Sequence, residues 1–334
     1  MDPVLLMILA IIVALAFDMM NGFHDTANSV ATVIYTKALS PRVAIALAAL
    51  MNIIGPFLLG TAVAKVIAES IIPMNLLTIE IIMAGLMGAI VWDLITWWYG
   101  LPVSSSHALI GGLVGSGIAA IGIGGITWGG LTKVILALLI SPIVGIILGM
   151  IMMILVGRFV ISRIGRDKSN SIFKKVQIIS SAAVSLTHGS NDAQKTMGII
   201  AMFVAVTYGY ENIVIEPWMI IACALAIGLG TALGGWRIIR TLGERIGNEE
   251  LAPSQGFAAE TGTAITIAIG SHFGAPISTT HVLSSTVIGT VMVGGTGVLN
   301  KNVVGNILMA WVLTIPIAAV AAAVSYFVLT LVGI

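Results

Sequence analysis

Long apolar stretches alternate with short polar segments along the whole chain. Four of these stretches lie near or above the roughly 20 residues that a helix needs to cross the hydrocarbon of a bilayer. Backbone that faces lipid must satisfy its own hydrogen bonds, which helices do. The pattern therefore predicts an all-α polytopic membrane protein with about 10 to 12 transmembrane segments. The four stretches are residues 4–17, 43–64, 131–156 and 307–332.

The composition supports this prediction. Of the 334 residues, 58% are hydrophobic and only 9% are charged, whereas an ordinary soluble domain is about 25% charged. The net charge of +1 and the lack of a basic stripe argue against nucleic-acid binding. A single cysteine, Cys223, excludes a disulfide framework and a cysteine cluster for zinc or iron–sulfur. We therefore expect a multi-pass protein of the cell membrane, surrounded by the lipid bilayer.

Basic residues are concentrated in residues 157–175, which contain six lysines and arginines and one acid, Asp167. A short segment with such an excess is predicted to lie on the cytoplasmic side of the membrane. It divides the chain into an amino-terminal half, residues 1–156, a basic cytoplasmic linker, and a carboxy-terminal half, residues 176–334.

The two halves repeat a polar motif. A shift of 167 positions places NGFHDTANS, residues 21–29, on HGSNDAQKT, residues 188–196. Side chains spaced three and four positions apart share one face of a helix. When the first copy is extended by one helical turn towards the amino terminus, it has four polar side chains with this spacing. The second copy keeps the same spacing. The four are Asp18, Asn21, Asp25 and Asn28.

A second motif also occurs twice. GLPVSSSHALIGG, residues 100–112, and GAPISTTHVLSST, residues 274–286, share glycine, proline, three hydroxyl residues and a histidine in the same order. The residue before a proline avoids the α region, and serine and threonine are preferred at helix N-caps. Each copy therefore predicts a broken or re-entrant helix whose second part begins at residues 104–106 or 278–280.

Internal repeats joined by one cytoplasmic segment are typical of secondary transporters. In such proteins the substrate and the coupling ions bind near mid-membrane, between the halves. The repeats are inverted if each half crosses the membrane an odd number of times, which hydropathy alone leaves open.

The first motif is a candidate cation site. Ionisable residues at membrane depth are costly and mark functional positions. Carboxylate and amide oxygens are hard donors that suit Na⁺, and the thiolates and clustered imidazoles that transition metals prefer are missing from the pattern. For the amides, hydrogen bonding between helices is the alternative interpretation. The predicted Na⁺ ligands are Asp25, Asn28, Asn191, Asp192 and Gln194.

The second motif is a candidate anion site. Two helix N-termini that face each other offer free N–H groups and positive dipole ends, although simple capping of a re-entrant turn is the alternative. Lys195 adds a positive charge, or else extends to the interface. Glu260 could orient the anion, pair with Lys195, or lie near the interface. The histidines of the motif could donate to an anion or bond a neighbouring carbonyl. The predicted anion-binding residues are Ser104, Ser105, Ser106, Thr279, Thr280, Lys195, His107 and His281.

These residues resemble the inorganic phosphate transporter (PiT) family. GFHDTANSVAT and HGSNDAQKT are similar to its duplicated signature, G-A-N-D-x-A-N, and GLPVSSSH and GAPISTTH are similar to its second duplicated motif; GFAAE, ending at Glu260, also matches. The resemblance covers essentially the whole chain and implies inverted repeats, a homodimer and cation-coupled uptake of phosphate. The chain departs from the signature at His24, in place of Asn, and at Gln194-Lys195, in place of Ala-Asn. Relatives of this family also move sulfate.

Charge favours coupling to a cation. Two aspartates, one lysine and a divalent phosphate leave a net negative charge that low-dielectric surroundings do not hold without cations. We therefore predict a symporter of inorganic phosphate coupled to Na⁺, and not an enzyme; a proton-coupled phosphate or sulfate permease is the alternative. An anion channel normally has basic rings without paired acids, and a membrane-embedded hydrolase needs a nucleophile beside a base, or clustered metal ligands.

Overall fold

The computed structural model describes residues 2–244, 246, 250–294 and 299–333. These residues form thirteen α-helices joined by short turns, which confirms the predicted all-α fold. In chain order they are α1 (Pro3–Tyr35), α2 (Pro41–Ile54), α3 (Ala62–Ser70), α4 (Ile79–Tyr99), α5 (Ser105–Ile121), α6 (Trp128–Val156), α7 (Ser162–Ile164), α8 (Arg166–Tyr208), α9 (Pro217–Leu233), α10 (Trp236–Glu244), α11 (Pro253–His272), α12 (Thr279–Met292) and α13 (Lys301–Leu331).

Length and hydropathy identify four helical runs among the described residues that could cross a membrane. They are α1, α4, the run Trp128–Ile164 that begins with α6, and α13. The helices α2 and α3 form a fifth candidate, a pair bent by 75°. The chain is a multi-pass membrane protein, and the other segments expected from the sequence are shorter or more polar helices.

Capping residues set the ends of the helices. The Asp2 side chain accepts hydrogen bonds from the N–H groups of Val4 (2.8 Å) and Leu5 (3.1 Å), and Pro3 occupies the first position of α1. Both features favour a helix start. The helix α4 ends at Gly100, whose φ of 67° is the left-handed cap that glycine adopts without a steric penalty.

The order of the elements repeats along the chain. The helix α1 is followed by the pair α2–α3, the pair α4–α5 and the long α6, whereas α8 is followed by α9–α10, α11–α12 and the long α13. The break between α9 and α10 contains Gly234, with a φ of 73°. The two series of helices therefore contain corresponding elements in the same order.

The chain reverses direction between α4 and α5. A Cβ atom at Gly85 of α4 would lie 3.1 Å from the Cα of Leu113 in α5. Gly85 lies about 21 Å before the end of α4, and Leu113 lies about 12 Å after the start of α5. The two residues can meet only because the helices run antiparallel, side by side.

The pair α11–α12 forms a second hairpin. Thr263 Oγ1 of α11 and Thr286 Oγ1 of α12 are 2.7 Å apart, a contact that also requires the chain to turn back. We call α4–α5 hairpin 1 and α11–α12 hairpin 2. Each copy of the second motif therefore forms the tip of a helical hairpin.

The basic segment of the chain is largely helical. A π-turn at Gly157–Ile161 and the short α7 lead to Gly165, after which α8 runs for 43 residues into the second polar motif. Thr36 Oγ1 donates to Gln177 Oε1 (2.7 Å), so the end of α1 lies beside the basic start of α8. The division of the chain at residues 157–175 stays a prediction.

Glycine residues let each motif helix pack closely against the other half. A Cβ atom at Gly22 of α1 would lie 2.2 Å from the carbonyl oxygen of Ile227 in α9, and one at Gly189 of α8 would lie 2.5 Å from the backbone of Asn52 in α2. Small residues at such crossings allow membrane helices to approach closely. The halves are therefore interleaved around α1 and α8.

Candidate functional site

The two polar motifs meet in the interior of the protein. Asp25 of α1 and Asp192 of α8 are both buried. Thr279, at the tip of hairpin 2, lies between them, with its Oγ1 3.4 Å from Asp25 Oδ2 and 3.3 Å from Asp192 Oδ2. Asn21 Nδ2 also lies 3.4 Å from Asp192 Oδ2. The sequence-based expectation that these motifs meet is confirmed.

Both hairpin tips begin a capped helix beside the carboxylates. Ser104 Oγ accepts a hydrogen bond from the N–H group of His107 (3.2 Å), and Ser278 Oγ accepts one from the N–H group of His281 (3.2 Å). The helices α5 and α12 therefore start where the prolines predicted. Ser104 acts as an N-cap, which uses its hydroxyl oxygen as an acceptor.

Hydroxyl groups of the first helical turns reach the polar face of α1. Ser105 Oγ donates to Asn21 Oδ1 (2.7 Å). Thr280 Oγ1 donates to Asp25 Oδ2 (3.1 Å) and accepts from Asn28 Nδ2 (2.9 Å). Both hairpins thus contribute hydroxyl groups to one site on α1.

Lys195 is part of this site and does not extend to the interface. Its side chain is 1% exposed and donates to Asp192 Oδ1, to Ser106 Oγ (2.6 Å) and to the carbonyl oxygen of Ile277 (3.1 Å). An ammonium group has three donors, and all three are used. Lys195 therefore joins α8 to the tips of both hairpins.

Two histidines to which sequence analysis gave no role lie beside the aspartates. His24 Nδ1 lies 2.8 Å from Asp25 Oδ1, and His188 Nε2 lies 3.2 Å from Asp192 Oδ2 and 3.8 Å from Asp25 Oδ2. Ligand atoms of Asp25, His188 and Asp192 lie within 4.8 Å of one another. One imidazole therefore stands with the two carboxylates, because His188 precedes Asp192 by one helical turn and shares its face.

Two predicted cation ligands bond away from the aspartates. Gln194 Oε1 accepts from the N–H group of Val63 (2.9 Å) at the start of α3. Asn191 Nδ2 donates to Ser271 Oγ (2.8 Å) near the end of α11. These two side chains point to other helices because they lie on other faces of α8 than Asp192.

Glu260 forms a separate polar cluster. Its Oε1 accepts from Thr32 Oγ1 (2.5 Å) and Gln177 Nε2 (2.9 Å), and its Oε2 accepts from Ser180 Oγ (2.5 Å). It is fully buried and forms no ion pair with Lys195. Of the alternatives left open by the sequence, direct pairing with Lys195 is therefore not what the structure shows, because Lys195 pairs with Asp192. Glu260 instead ties α11 to α1 and α8.

The two motif histidines stack on each other. The ring centroids of His107 and His281 are 4.4 Å apart, and His281 lies 3.8 Å from the ring of Trp311. His107 Nδ1 and His281 Nε2 have no hydrogen-bond partner among the described residues. The rings therefore pack the two hairpins together directly behind the hydroxyl groups.

Two further buried acids received no ligand role in the sequence analysis, which placed Asp18 on the polar face of the first motif and did not single out Asp93. Asp18 of α1 and Asp93 of α4 are fully buried, and none of their carboxylate oxygens has a hydrogen-bond partner in the described part of the chain. An isolated buried carboxylate is held neutral or paired with a cation. A single acid within an apolar helix is the signal that could have identified Asp93.

Comparison with known protein families assigns the chain. The phosphate transporter family matches residues 21–322. The chain belongs to the phosphate transporter family. It is a phosphate transporter and not an enzyme.

Curated relatives of this phosphate transporter carry the same description. The chain is 45% identical over 333 residues to a probable low-affinity inorganic phosphate transporter of Mycobacterium leprae (strain TN), covering 98% of this chain and 79% of the relative. It is 43% identical over 338 residues to a protein of the same description from Bacillus subtilis (strain 168), covering 99% and 100%.

A solved structure shares the fold. It is described as "The sodium-dependent phosphate transporter" and has a TM-score of 0.91 and 25% identity to this chain, and the match covers 98% of this chain and 99% of the solved one. The architecture of paired halves and hairpins is therefore that of a known phosphate transporter.

Proposed function

We propose that this phosphate transporter is a Na⁺-coupled symporter whose ions and substrate bind between α1, α8 and the two hairpin tips. One observation carries the proposal. The carboxylates of Asp25 and Asp192, the ammonium group of Lys195 and the hydroxyl groups of both hairpins meet at one buried place. This place holds positively and negatively charged groups within a few ångströms of each other, as a site that binds both a cation and an anion requires.

The cation half of the site is built from Asp25, Asn28 and Asp192. The Oδ1 atom of Asn28 has no hydrogen-bond partner among the described residues, so a buried carbonyl oxygen remains available beside Asp25. Oxygen donors of this kind suit Na⁺. The Oδ1 atom of Asn191 likewise has no hydrogen-bond partner among the described residues, so Asn191 remains among the proposed Na⁺ ligands. Gln194 supports α3 instead.

The anion half is built from the first turns of α5 and α12. Ser105, Ser106, Thr279 and Thr280 are each buried there, and helix N-termini provide N–H groups and a positive dipole end for phosphate oxygens. Lys195 supplies the fixed positive charge. Cations must bind together with phosphate, because the aspartates and the anion would otherwise leave an uncompensated negative charge in low-dielectric surroundings.

The repeated order of elements supports inverted halves. In the proposed topology, the first long helix, the pair after it and the last long helix of each half cross once each and the hairpin returns to its own side, so that each half has an odd number of crossings. Substrate between two such halves fits alternating access. A homodimer, expected from the family resemblance, stays a prediction.

Uptake into proteoliposomes tests the coupling ion. The purified protein is reconstituted, and radiolabelled phosphate uptake is measured with an inward Na⁺ gradient, with a K⁺ gradient as the control, and with sulfate or arsenate as competitors. We expect Na⁺ to drive accumulation of phosphate. Equal accumulation in K⁺ would contradict Na⁺ coupling without contradicting phosphate transport.

Proton coupling is a second candidate because titratable side chains lie next to one another in the site. His24, Asp25, His188 and Asp192 form a continuous series of close contacts. Protons moving along this series would replace Na⁺. Phosphate accumulation driven by an imposed pH gradient in Na⁺-free buffer would favour this candidate, and its absence would exclude it.

A further inference from the structure

A cleft beside the tip of hairpin 1 has a basic lining that the transport site does not use. It has a volume of about 480 Å³ and lies between α10, the end of α4 and Tyr35, the last residue of α1. Arg237 and Arg240 line it, together with the rings of Trp98 and Trp236. None of the described residues that line it is acidic. The cleft therefore combines two positive charges with exposed aromatic surface.

Arg237 is held in place but keeps donors for a ligand. Its Nη1 donates to the carbonyl oxygen of Trp98 (2.5 Å), and its guanidinium carbon lies 5.1 Å and 4.4 Å from the ring centroids of Trp97 and Trp98. A guanidinium group has five N–H donors, so most of them remain available. The side chain is thus oriented before any ligand binds.

Arg240 lies one helical turn further along α10. It is exposed and forms no hydrogen bond or ion pair with the described part of the chain. Guanidinium groups three positions apart lie on the same face of a helix. Paired planar guanidinium groups match the oxygen atoms of a phosphoryl group, to which arginine binds in bidentate fashion.

We propose that this cleft binds the phosphoryl group of an anion, at a site separate from the one around Asp25 and Asp192. The group could belong to inorganic phosphate or to the headgroup of an anionic phospholipid. Both present the same oxygen atoms to Arg237 and Arg240.

The cleft is connected to hairpin 1. Thr241 Oγ1 donates to the carbonyl oxygen of Gly100 (2.7 Å), as Arg237 does to that of Trp98. These carbonyl groups belong to the end of α4, where a helix leaves acceptors without partners. An anion bound to the donors of Arg237 that Trp98 does not use therefore lies directly beside the contact between α10 and the hairpin whose other helix begins in the transport site.

The corresponding place beside hairpin 2 lacks this pair of arginines. A Cβ atom at Gly100 would lie 3.2 Å from the carbonyl oxygen of Arg237, and one at Gly274 would lie 3.3 Å from that of Ala62. Ala62 therefore takes the place of Arg237 in the other half. Lys65, three positions after Ala62, corresponds to Arg240, so the pair of guanidinium groups belongs to one hairpin only.

The test uses the full-length protein in nanodiscs of phosphatidylcholine, with two arms. In the first arm, equilibrium binding of radiolabelled inorganic phosphate is measured. In the second, brominated phosphatidylglycerol replaces part of the lipid, and quenching of tryptophan fluorescence is followed, because Trp98 and Trp236 line the cleft. The variant is Arg240→Gln, which breaks no contact with a described residue. The control is Arg158→Gln, an exposed arginine in the basic segment.

We expect Arg240→Gln to weaken binding in one arm by about tenfold, the loss typical of a charge-assisted hydrogen bond, and Arg158→Gln to leave it unchanged. If Arg240→Gln removes one class of binding sites for radiolabelled phosphate, the ligand of the cleft is free phosphate. A reduced preference for brominated phosphatidylglycerol over brominated phosphatidylcholine identifies a lipid. Binding unaffected by Arg240→Gln in both arms would overturn the proposal. Lys195→Gln alters the transport site and not the cleft. Comparing it with Arg240→Gln therefore shows whether the assignment of the transport site or that of the cleft has failed.

Discussion

The two aspartates of the site have different surroundings although they occupy equivalent positions in the repeat. Asp192 is paired with Lys195, a full positive charge three residues along α8. The position equivalent to Lys195 in α1 is Asn28, and Asp25 contacts His24 and the hydroxyl group of Thr280 instead. The same carboxylate is therefore neutralised in one half and left with neutral or titratable partners in the other.

This difference indicates how a repeated scaffold makes a site for two ions of opposite sign. A carboxylate without a fixed cation must obtain one from solution, because an isolated buried charge is costly. In the proposed function the cation therefore binds on the Asp25 side. The lysine beside Asp192 favours an anion, and it holds both hairpin tips through Ser106 and Ile277.

The largest expected effect is that of Asp25→Asn. The change removes the charge that attracts the cation, so we expect Na⁺-driven phosphate uptake to fall by at least about 100-fold, equivalent to roughly 3 kcal/mol. Proteoliposome uptake measures it, and Glu211→Gln, an exposed carboxylate, is the matched control. Uptake near the wild-type rate in Asp25→Asn would break the assignment of Asp25 to the cation.

Lys195→Gln tests the other side of the comparison. Phosphate affinity should fall by about tenfold or more, and the free energy of unfolding should fall by about 3–5 kcal/mol, the cost of breaking a buried ion pair, because Asp192 loses its lysine partner and keeps the titratable His188. Binding of radiolabelled phosphate and thermal denaturation measure the two effects. In the double variant Lys195→Gln, Asp192→Asn, stability should recover and phosphate affinity should not. Recovery of both would show that Lys195 only neutralises Asp192.

Ser106→Ala is expected to have a smaller effect on the anion side. Ser106 bonds Lys195 at the start of α5, so its loss should weaken phosphate binding by about fivefold, typical of one hydrogen bond, and leave Na⁺ binding nearly unchanged. Calorimetric titration with each ion measures this. The control is Ser116→Ala in the same helix, where the hydroxyl group bonds only to carbonyl groups of its own helix. Equal losses in both variants would indicate a general effect on α5.

The smallest functional effect is expected for Gln194→Met. Gln194 caps α3 through the N–H group of Val63, so the change should lower stability by about 1 kcal/mol and leave the dissociation constant of Na⁺ unchanged. Thermal denaturation and Na⁺ titration separate the two. A weaker Na⁺ affinity would return Gln194 to the cation site.

The fold could be predicted because the bilayer permits few solutions. Long apolar stretches must be helices there, and the prolines before Ser104 and Ser278 correctly marked the starts of α5 and α12. The second motif left open whether the helices before it continue as broken helices or turn back as hairpins. That reversal depends on close contacts such as Gly85 with Leu113, which are distant in the chain.

The sequence by itself determined which residues share a helical face. It therefore showed that the helices containing Asp25 and Asp192 have equivalent rows of polar side chains. Helical periodicity is local, so four positions are enough to read it. Only the tertiary structure decided that His188 stands between the carboxylates, that Glu260 bonds to Gln177 and that Gln194 serves α3. These partners depend on how helices rotate and cross, and close packing of side chains from distant segments determines that arrangement.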